Sequence, residues 1–205
     1  MSLIFCFMCS ALSVFADLVP RGPAGLVWES HVTDGSLYYT EVESLVEAYE
    51  ARVGQALGVG QRGKVALKIN TRGGKGLSTP LQLIRAVIEV LEKRGYTRDS
   101  ILLVDYSSHT LRLAGVMPPL SRAEAQFEGS PVIALDSGDF YDNEWFYDSP
   151  LPPALQQEPQ LIGEARRSMQ LEEGAQARKS FLPRPLIFDV DFWICLLYTS
   201  DAADD

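Results

Sequence analysis

The pattern of apolar and polar positions is clearest over the stretch 64–106, where a strand, a loop, a helix and a second strand follow one another. The run KVALKIN (Lys64–Asn70) is aliphatic and β-branched, as expected of a strand. Apolar residues then recur at helical spacing from Leu81 to Leu91, before a typical helix ending at Gly95. The run SILLVDY (Ser100–Tyr106) is continuously apolar, as in a parallel strand buried on both faces. This stretch predicts a βαβ unit at about 64–106, and hence an α/β fold with a mostly parallel sheet.

Three further segments can be assigned from the same pattern. Helical spacing of apolar residues predicts an amphipathic helix at Glu41–Leu57, with Thr40 and Glu43 as its capping box. The run Pro131–Asp136 predicts a third strand, and the acidic, aromatic segment Ser137–Pro153 predicts a loop.

The first sixteen residues are almost wholly apolar and end in a small-x-small pattern at Ala16. This run is too short for a comfortable membrane span and matches the apolar region and cleavage site of a secretory signal peptide. It lacks the usual Lys or Arg near its start, so a buried N-terminal strand and a misassigned start codon stay open as alternatives. We expect an exported protein, periplasmic or secreted, if 1–16 is a signal peptide, and a cytoplasmic one otherwise.

The last eleven residues, Cys195–Asp205, read CLLYTSDAADD. Their back-translation fits the transposase adapter that is used to prepare shotgun DNA libraries. We therefore predict that 195–205 is an adapter-derived tail on a bacterial, metagenomic fragment, and that the α/β domain, at 17–194, is incomplete at its C-terminus.

Composition narrows the class of protein. The chain has 205 residues, 46% hydrophobic and 22% charged, which is typical of a globular protein. Its formal net charge of −9 argues against sequence-independent binding to nucleic acid, which requires a basic surface. We expect that the protein does not bind nucleic acid and has no stable membrane span. The sequence leaves its oligomeric state open.

The glycine-rich loop between the first strand and the long helix is the leading candidate for ligand binding. Free backbone N–H groups before a helix suit an anion, and cationic side chains would add to the attraction. Neither nucleotide-binding fingerprint is present, so a mobile turn with solvated cations is the alternative. Ser78 or Thr79 is expected to cap the helix, with Pro80 in its first position. The loop candidates are Lys68, Asn70, Arg72, Gly73, Gly74, Lys75 and Gly76.

Asp105 and His109 follow the carboxyl end of the second strand, where ligands gather in open parallel sheets. Asp105 could orient a ligand or metal, and His109 could act as a base or ligand. The alternative is that Asp105 caps the next turn and His109 lies on the surface. The five carboxylates between Asp136 and Asp148 lack the spacing of a calcium loop, so we predict no metal site there.

The runs KVALKIN, TP, LIRAVIEVLEKRGY and ILLVDYSS together resemble the "domain of unknown function 362" family. In that family an aliphatic strand ends in Lys-Pro-Asn, a helix begins with Thr-x-Pro, and a further strand ends near Gly-Asp. The residues that match are Lys68, Asn70, Thr79, Pro80 and Asp105. Ile69 replaces the family's proline and Val104 replaces its usual glycine.

The resemblance covers roughly Lys64–Ser108 and Leu182–Ile194, where Asp191–Ile194 is similar to a late strand of the family. In the family this strand continues into Asn-Leu-Pro and a Lys-rich, His-containing motif. The resemblance implies a truncated member with an α/β fold and, in some relatives, an iron–sulfur module. The cysteines for a cluster are absent here, since a cluster usually takes four thiolates and the chain has three cysteines. The cofactor is therefore unknown.

Three functions remain open from the sequence. The chain is expected to be the N-terminal part of an exported enzyme that binds a small anionic or metal-bearing ligand at the strand ends. The alternatives are an exported binding protein without catalysis and a non-functional fragment. No pattern assigns a catalytic residue or a substrate.

Overall fold

The computed structural model describes residues 6–8, 27–73, 76–120, 125–136, 140–148 and 179–196. The chain divides into two compact units, one formed by Met1–Asp139 with Pro185–Asp205 and the other by Phe140–Arg184. The helices are α1 (Tyr38–Val53), α2 (Leu81–Glu92), α3 (Ser108–Leu113) and α4 (Arg184–Ile187). The strands are β1 (Cys6–Met8), β2 (Val65–Ile69), β3 (Ile101–Asp105), β4 (Gln126–Phe127), β5 (Ser130–Ala134), β6 (Tyr141–Asp148), β7 (Lys179–Pro183) and β8 (Phe192–Leu196).

The larger unit is built on a six-stranded mixed sheet in the order β1-β8-β2-β3-β5-β4. The four inner strands run parallel to one another, while β1 and β4 pair antiparallel with them at the two ends of that order. The α/β fold and the mostly parallel sheet predicted from the sequence are therefore confirmed. The predicted βαβ unit is β2-α2-β3, in which Val65 lies beside Ile101.

The core of this unit lies where α1 and α2 pack together with the inner strands. Every residue of β3 is buried, as its unbroken apolar sequence predicted. In β5 and β8 fully buried residues alternate with partly buried ones. Seven of the twelve residues of α2 are buried, which covers far more than one narrow stripe of this helix. No described helix has both the length and the apolar character that a membrane-spanning segment requires.

Two boundaries of the predicted first helix were wrong. The structure begins α1 at Tyr38, after the N-cap Leu37, so Thr40 lies inside the helix and cannot cap it. The helix ends at Val53, four residues earlier than expected, because Gly54 adopts a left-handed conformation (φ 74°) and its N–H bonds to the carbonyl of Glu50. A glycine in this conformation is the common helix stop, and it lies closer to the last buried apolar residues than the glycines at 58 and 60.

The smaller unit contains an antiparallel ribbon formed by β6 and β7, with Phe146 opposite Phe181. Their rings meet edge to face, with centroids 5.9 Å apart. The expectation that 137–153 is a loop was therefore wrong for β6. The segment Tyr141–Asp148 becomes a strand because it pairs with Lys179–Pro183, more than thirty positions later in the chain, which no local pattern shows.

Both ends of the chain contribute to the sheet. Phe7 pairs with Ile194, and Cys195 and Leu196 extend β8 alongside Lys68 and Ile69 of β2. Any segment with suitable apolar side chains can pair as a strand, whatever its origin. The pairing therefore does not test whether 1–16 is a signal peptide or 195–205 an adapter-derived tail, and both stay predictions. The remaining residues of these two segments lie outside the described residues.

Candidate functional site

The carboxyl ends of β2 and β3 hold a buried carboxylate, Asp105, which is the last residue of β3. Its Oδ1 accepts hydrogen bonds from Lys68 Nζ at 2.9 Å and from the Tyr106 N–H at 2.8 Å. Its Oδ2 accepts from the Thr71 N–H at 2.8 Å and from Thr71 Oγ1 at 2.6 Å. Four donors therefore surround the carboxylate. They occupy the lone-pair positions at which a metal or a ligand proton could otherwise bind.

Lys68 is the cation of this site and lies near the end of β2. Its Cα is the register partner of Val104, so its side chain reaches the aspartate that follows on the neighbouring strand. The ammonium donates to Asp105 Oδ1 and to the carbonyl of Ile69, at 2.9 and 2.6 Å. An ammonium has three N–H groups, and the described residues accept from two of them. Because the side chain is 25% exposed, the third N–H can reach a ligand from solvent.

Burial by itself would favour the protonated form of Asp105. The hydrogen bonds from Thr71 and Lys68, together with the positive charge of Lys68, outweigh that effect and hold the pKa of the Asp105 carboxyl below its ordinary value. The carboxylate thus stays ionised at neutral pH and remains paired with the ammonium. A group in this state is suited to orient a cation and poorly suited to accept a proton from a substrate.

Thr71 joins the end of β2 to α3. It is fully buried, and its hydroxyl lies 2.6 Å from Asp105 Oδ2 and 2.8 Å from the hydroxyl of Thr110 on α3. Thr71 and Thr110 were not among the residues predicted for the site. The available signal was positional, since Thr71 directly follows Asn70, the last residue of the predicted strand that carries Lys68.

A second hydrogen-bonded cluster lies on the β8 side of β2. Thr79 Oγ1 accepts from the Asn70 N–H at 2.9 Å and lies 2.9 Å from the carbonyl of Leu196, to which it can donate. The expectation that Ser78 or Thr79 caps α2, with Pro80 inside the helix, was wrong. The N-cap is Pro80 itself, with an extended ψ of 135° and no side-chain capping bond, because the Thr79 hydroxyl is engaged with the two strand ends.

The loop after Thr71 is only partly described. Arg72 is exposed, and its backbone N–H donates to Asn70 Oδ1 at 3.1 Å. Gly73 passes so close to Leu77 that an added Cβ would lie 2.2 Å from the Leu77 Cβ, so a side chain there would force the loop to move. Gly76 has a φ of 106°, while Gly74 and Lys75 lie outside the described residues.

His109 lies on α3 with its side chain exposed, and no hydrogen bond or ion pair joins it to Lys68 or Asp105 among the described residues. The helix begins at Ser108, whose N–H donates to both carboxylate oxygens of Asp136 at 3.0 Å. The structure therefore joins Lys68 to Asp105 at the carboxyl ends of β2 and β3. Asn70, which follows β2, is bonded to Thr79 instead, and His109 is exposed and lies outside both clusters.

The residues present do not fit an iron–sulfur cluster. Such a cluster usually takes four thiolates, and the whole chain contains only Cys6, Cys9 and Cys195. Within the described ranges, no group of three or more His, Cys, Asp or Glu side chains is placed to hold a metal ion. The charge arrangement at the strand ends is instead that of a cation held in place by a carboxylate.

Comparison of the chain with protein-family models, with curated proteins and with solved structures gives no match.

Proposed function

We propose that this chain binds a small anionic ligand at the carboxyl ends of β2 and β3, and that it belongs to an exported α/β protein. The observation that carries the proposal is the Lys68 ammonium, which is held by Asp105 and by the Ile69 carbonyl. Among the described residues, its third N–H has no acceptor and is left for a ligand. The apolar segment at 1–16 supports export. The N-terminal residue of the secreted protein, determined by mass spectrometry, tests that part, and retention of residue 1 would contradict it.

The position in the fold supports the same proposal. Ligands of open parallel sheets bind outside the carboxyl ends of the strands, and Lys68 lies at that edge between β3 and β8. Arg72, exposed four residues later, adds a second cation in the loop that follows β2. Because the whole chain carries a net charge of −9, attraction of an anion must come from these local cations and not from the overall field of the protein.

The arrangement favours binding over catalysis. General acid–base chemistry needs a group that can exchange a proton within reach of the ligand. Asp105 is occupied by four donors, and His109 is not part of the cluster. The Lys-rich, His-containing motif that the family resemblance implies beyond Ile194 would be the source of such a group in an enzyme.

A titration with inorganic phosphate, and separately with acetate, tests the proposal. The ¹⁵N-labelled chain should show saturable shifts at Lys68 and Arg72. Lys68→Met should weaken binding at least tenfold, because a hydrogen bond to a charged group is worth roughly 1.5–3 kcal/mol. Lys64→Met is the matched control, since Lys64 is exposed and precedes the same strand at its other end.

Equal affinities of the Lys68 and Lys64 variants, or absence of saturation in the wild-type chain, would refute the proposal. Arg72→Met provides a second variant at an exposed position, where loss of the side chain should leave the fold unchanged. It should weaken binding less than Lys68→Met, because an exposed guanidinium is more strongly screened by water and salt.

A further inference from the structure

The Thr71 hydroxyl lies between two hydrogen-bond partners that belong to different elements. It is 2.6 Å from Asp105 Oδ2, at the end of β3, and 2.8 Å from Thr110 Oγ1, on α3. A hydroxyl carries one proton, so it can donate to only one of these partners. An ionised carboxylate is an acceptor only, which assigns the Thr71 proton to Asp105 and makes Thr110 the donor to Thr71.

The hydrogen bonds therefore run in one direction, from Thr110 to Thr71 and from Thr71 to Asp105 Oδ2. The other carboxylate oxygen of Asp105 accepts a hydrogen bond from the Lys68 ammonium. Thr110 Oγ1 also lies 3.2 Å from the carbonyl of Ser107, a longer and competing acceptor for the same proton. The shorter contact to Thr71 favours this direction of the hydrogen bonds over that local bond.

We infer that Thr71 is a positioning residue of the anion-binding site, through which α3 orients the Asp105 carboxylate and with it the Lys68 ammonium. This inference rests on the proposed function for its effect on ligand affinity. Its structural basis is independent of any ligand.

Burial explains why no water can take the place of Thr71. The residue is fully buried, so loss of its hydroxyl leaves Asp105 Oδ2 with a single donor among the described residues, the backbone N–H of residue 71. The carboxylate could then rotate toward Lys68 and Tyr106, and the ammonium would lose its fixed direction. Thr71→Val has nearly the same shape and removes only the hydroxyl, whereas Thr71→Ser keeps it.

The experiment compares Thr71→Val, Thr71→Ser and Thr110→Val with the control Thr33→Val, an exposed threonine far from these elements in the sequence. Two quantities are measured by NMR: the midpoint of the Asp105 carboxyl titration, and the affinity for inorganic phosphate. Thr71→Val should raise the midpoint and weaken phosphate binding roughly tenfold, since the lost bond is made to a charged group. Thr110→Val should produce a smaller change of the same sign, and Thr71→Ser should restore both values.

An unchanged Asp105 titration in Thr71→Val, in a variant whose amide spectrum shows the native fold, would overturn the inference. A purely structural role would lower thermal stability without moving that titration. If the wild-type chain binds no phosphate, the proposed function fails, while the titration still decides the role of Thr71. If Thr71→Val does not fold, Thr110→Val carries the test, and an unchanged titration there overturns the chain of bonds from α3.

Discussion

Replacing Asp105 by asparagine tests the central arrangement of the site with the smallest change in shape. The two carboxylate oxygens face different pairs of donors: Lys68 Nζ with the Tyr106 N–H on one side, and the N–H and hydroxyl of Thr71 on the other. An amide has one oxygen and one NH₂ group, so in either orientation the NH₂ group faces two donors.

The magnitude follows from which pair is left without an acceptor. Thr71 is fully buried, whereas the Lys68 side chain is 25% exposed, so the less costly orientation leaves the amide oxygen with Thr71. Lys68 then loses its ion pair and keeps partial access to water. Breaking a buried pair by removing one charge costs about 3–5 kcal/mol, and the exposure of Lys68 places Asp105→Asn near 3 kcal/mol of unfolding free energy.

The effect must depend on pH with a definite sign. The pKa of Asp105 in the folded protein lies below its ordinary value of 3.8, despite burial, because Thr71 and Lys68 bind the ionised form. The stabilisation is therefore fully present above that ordinary value and is lost as the pH falls through the lower, folded-state pKa. The difference between wild type and Asp105→Asn should be constant from about pH 5 to 8 and shrink below about pH 4.

Urea unfolding at several pH values, followed by circular dichroism, measures this difference directly. The matched control is Asp136→Asn, in an exposed carboxylate that accepts the Ser108 N–H just after β5. Because Asp136 is exposed and asparagine keeps one oxygen for the Ser108 N–H, this control should change stability by only a few tenths of a kcal/mol. A cost below about 1 kcal/mol at pH 7 for Asp105→Asn, or a cost that does not decrease in acid, would refute the described hydrogen bonding.

Two further predictions concern the first helix and the end of the chain. Gly54→Ala should lower the free energy of unfolding by about 1–2 kcal/mol, because residue 54 has a φ of 74°, which is strained for any residue with a Cβ. Gly58→Ala, where φ is not positive, is the control in the same thermal-unfolding experiment. Equal effects of the two substitutions would contradict the observed helix ending. Amplification of the source locus from untagged genomic DNA should read past codon 194 into Asn-Leu-Pro and a Lys- and His-rich stretch. A genomic sequence that encodes Cys195–Asp205 followed by a stop codon would disprove the adapter origin.

The central βαβ unit could be predicted from the sequence because its signals are local. The strands at Val65–Ile69 and Ile101–Asp105 are runs of aliphatic residues, and Leu81–Glu92 has apolar positions at helical spacing. Torsional preference and burial of neighbouring side chains act over a few residues. The two observed strands therefore begin and end within one residue of the predicted runs. The strand Ser130–Ala134 was predicted from the same kind of signal.

The elements that were mispredicted depend on partners that are distant in the chain. Tyr141–Asp148 is acidic and aromatic and becomes a strand by pairing with β7. Thr79 has the sequence of a helix cap, but its hydroxyl binds the Asn70 N–H and lies against the carbonyl of Leu196, 117 positions away. A side chain with one proton and two acceptor positions serves the partners that the fold brings nearest, and local sequence does not contain that information.

The candidate site shows the same division. The sequence alone predicted that Lys68, Asn70 and Asp105 meet at one edge of the sheet, because parallel strands present their carboxyl ends together. Only the tertiary structure decided what each group does there: four donors from three residues occupy Asp105, and the buried hydroxyl of Thr71 is one of them. The physical reason is that a pattern of residues determines torsions and burial over short distances, whereas hydrogen-bond saturation depends on ångström-scale distances between segments that are far apart in the chain.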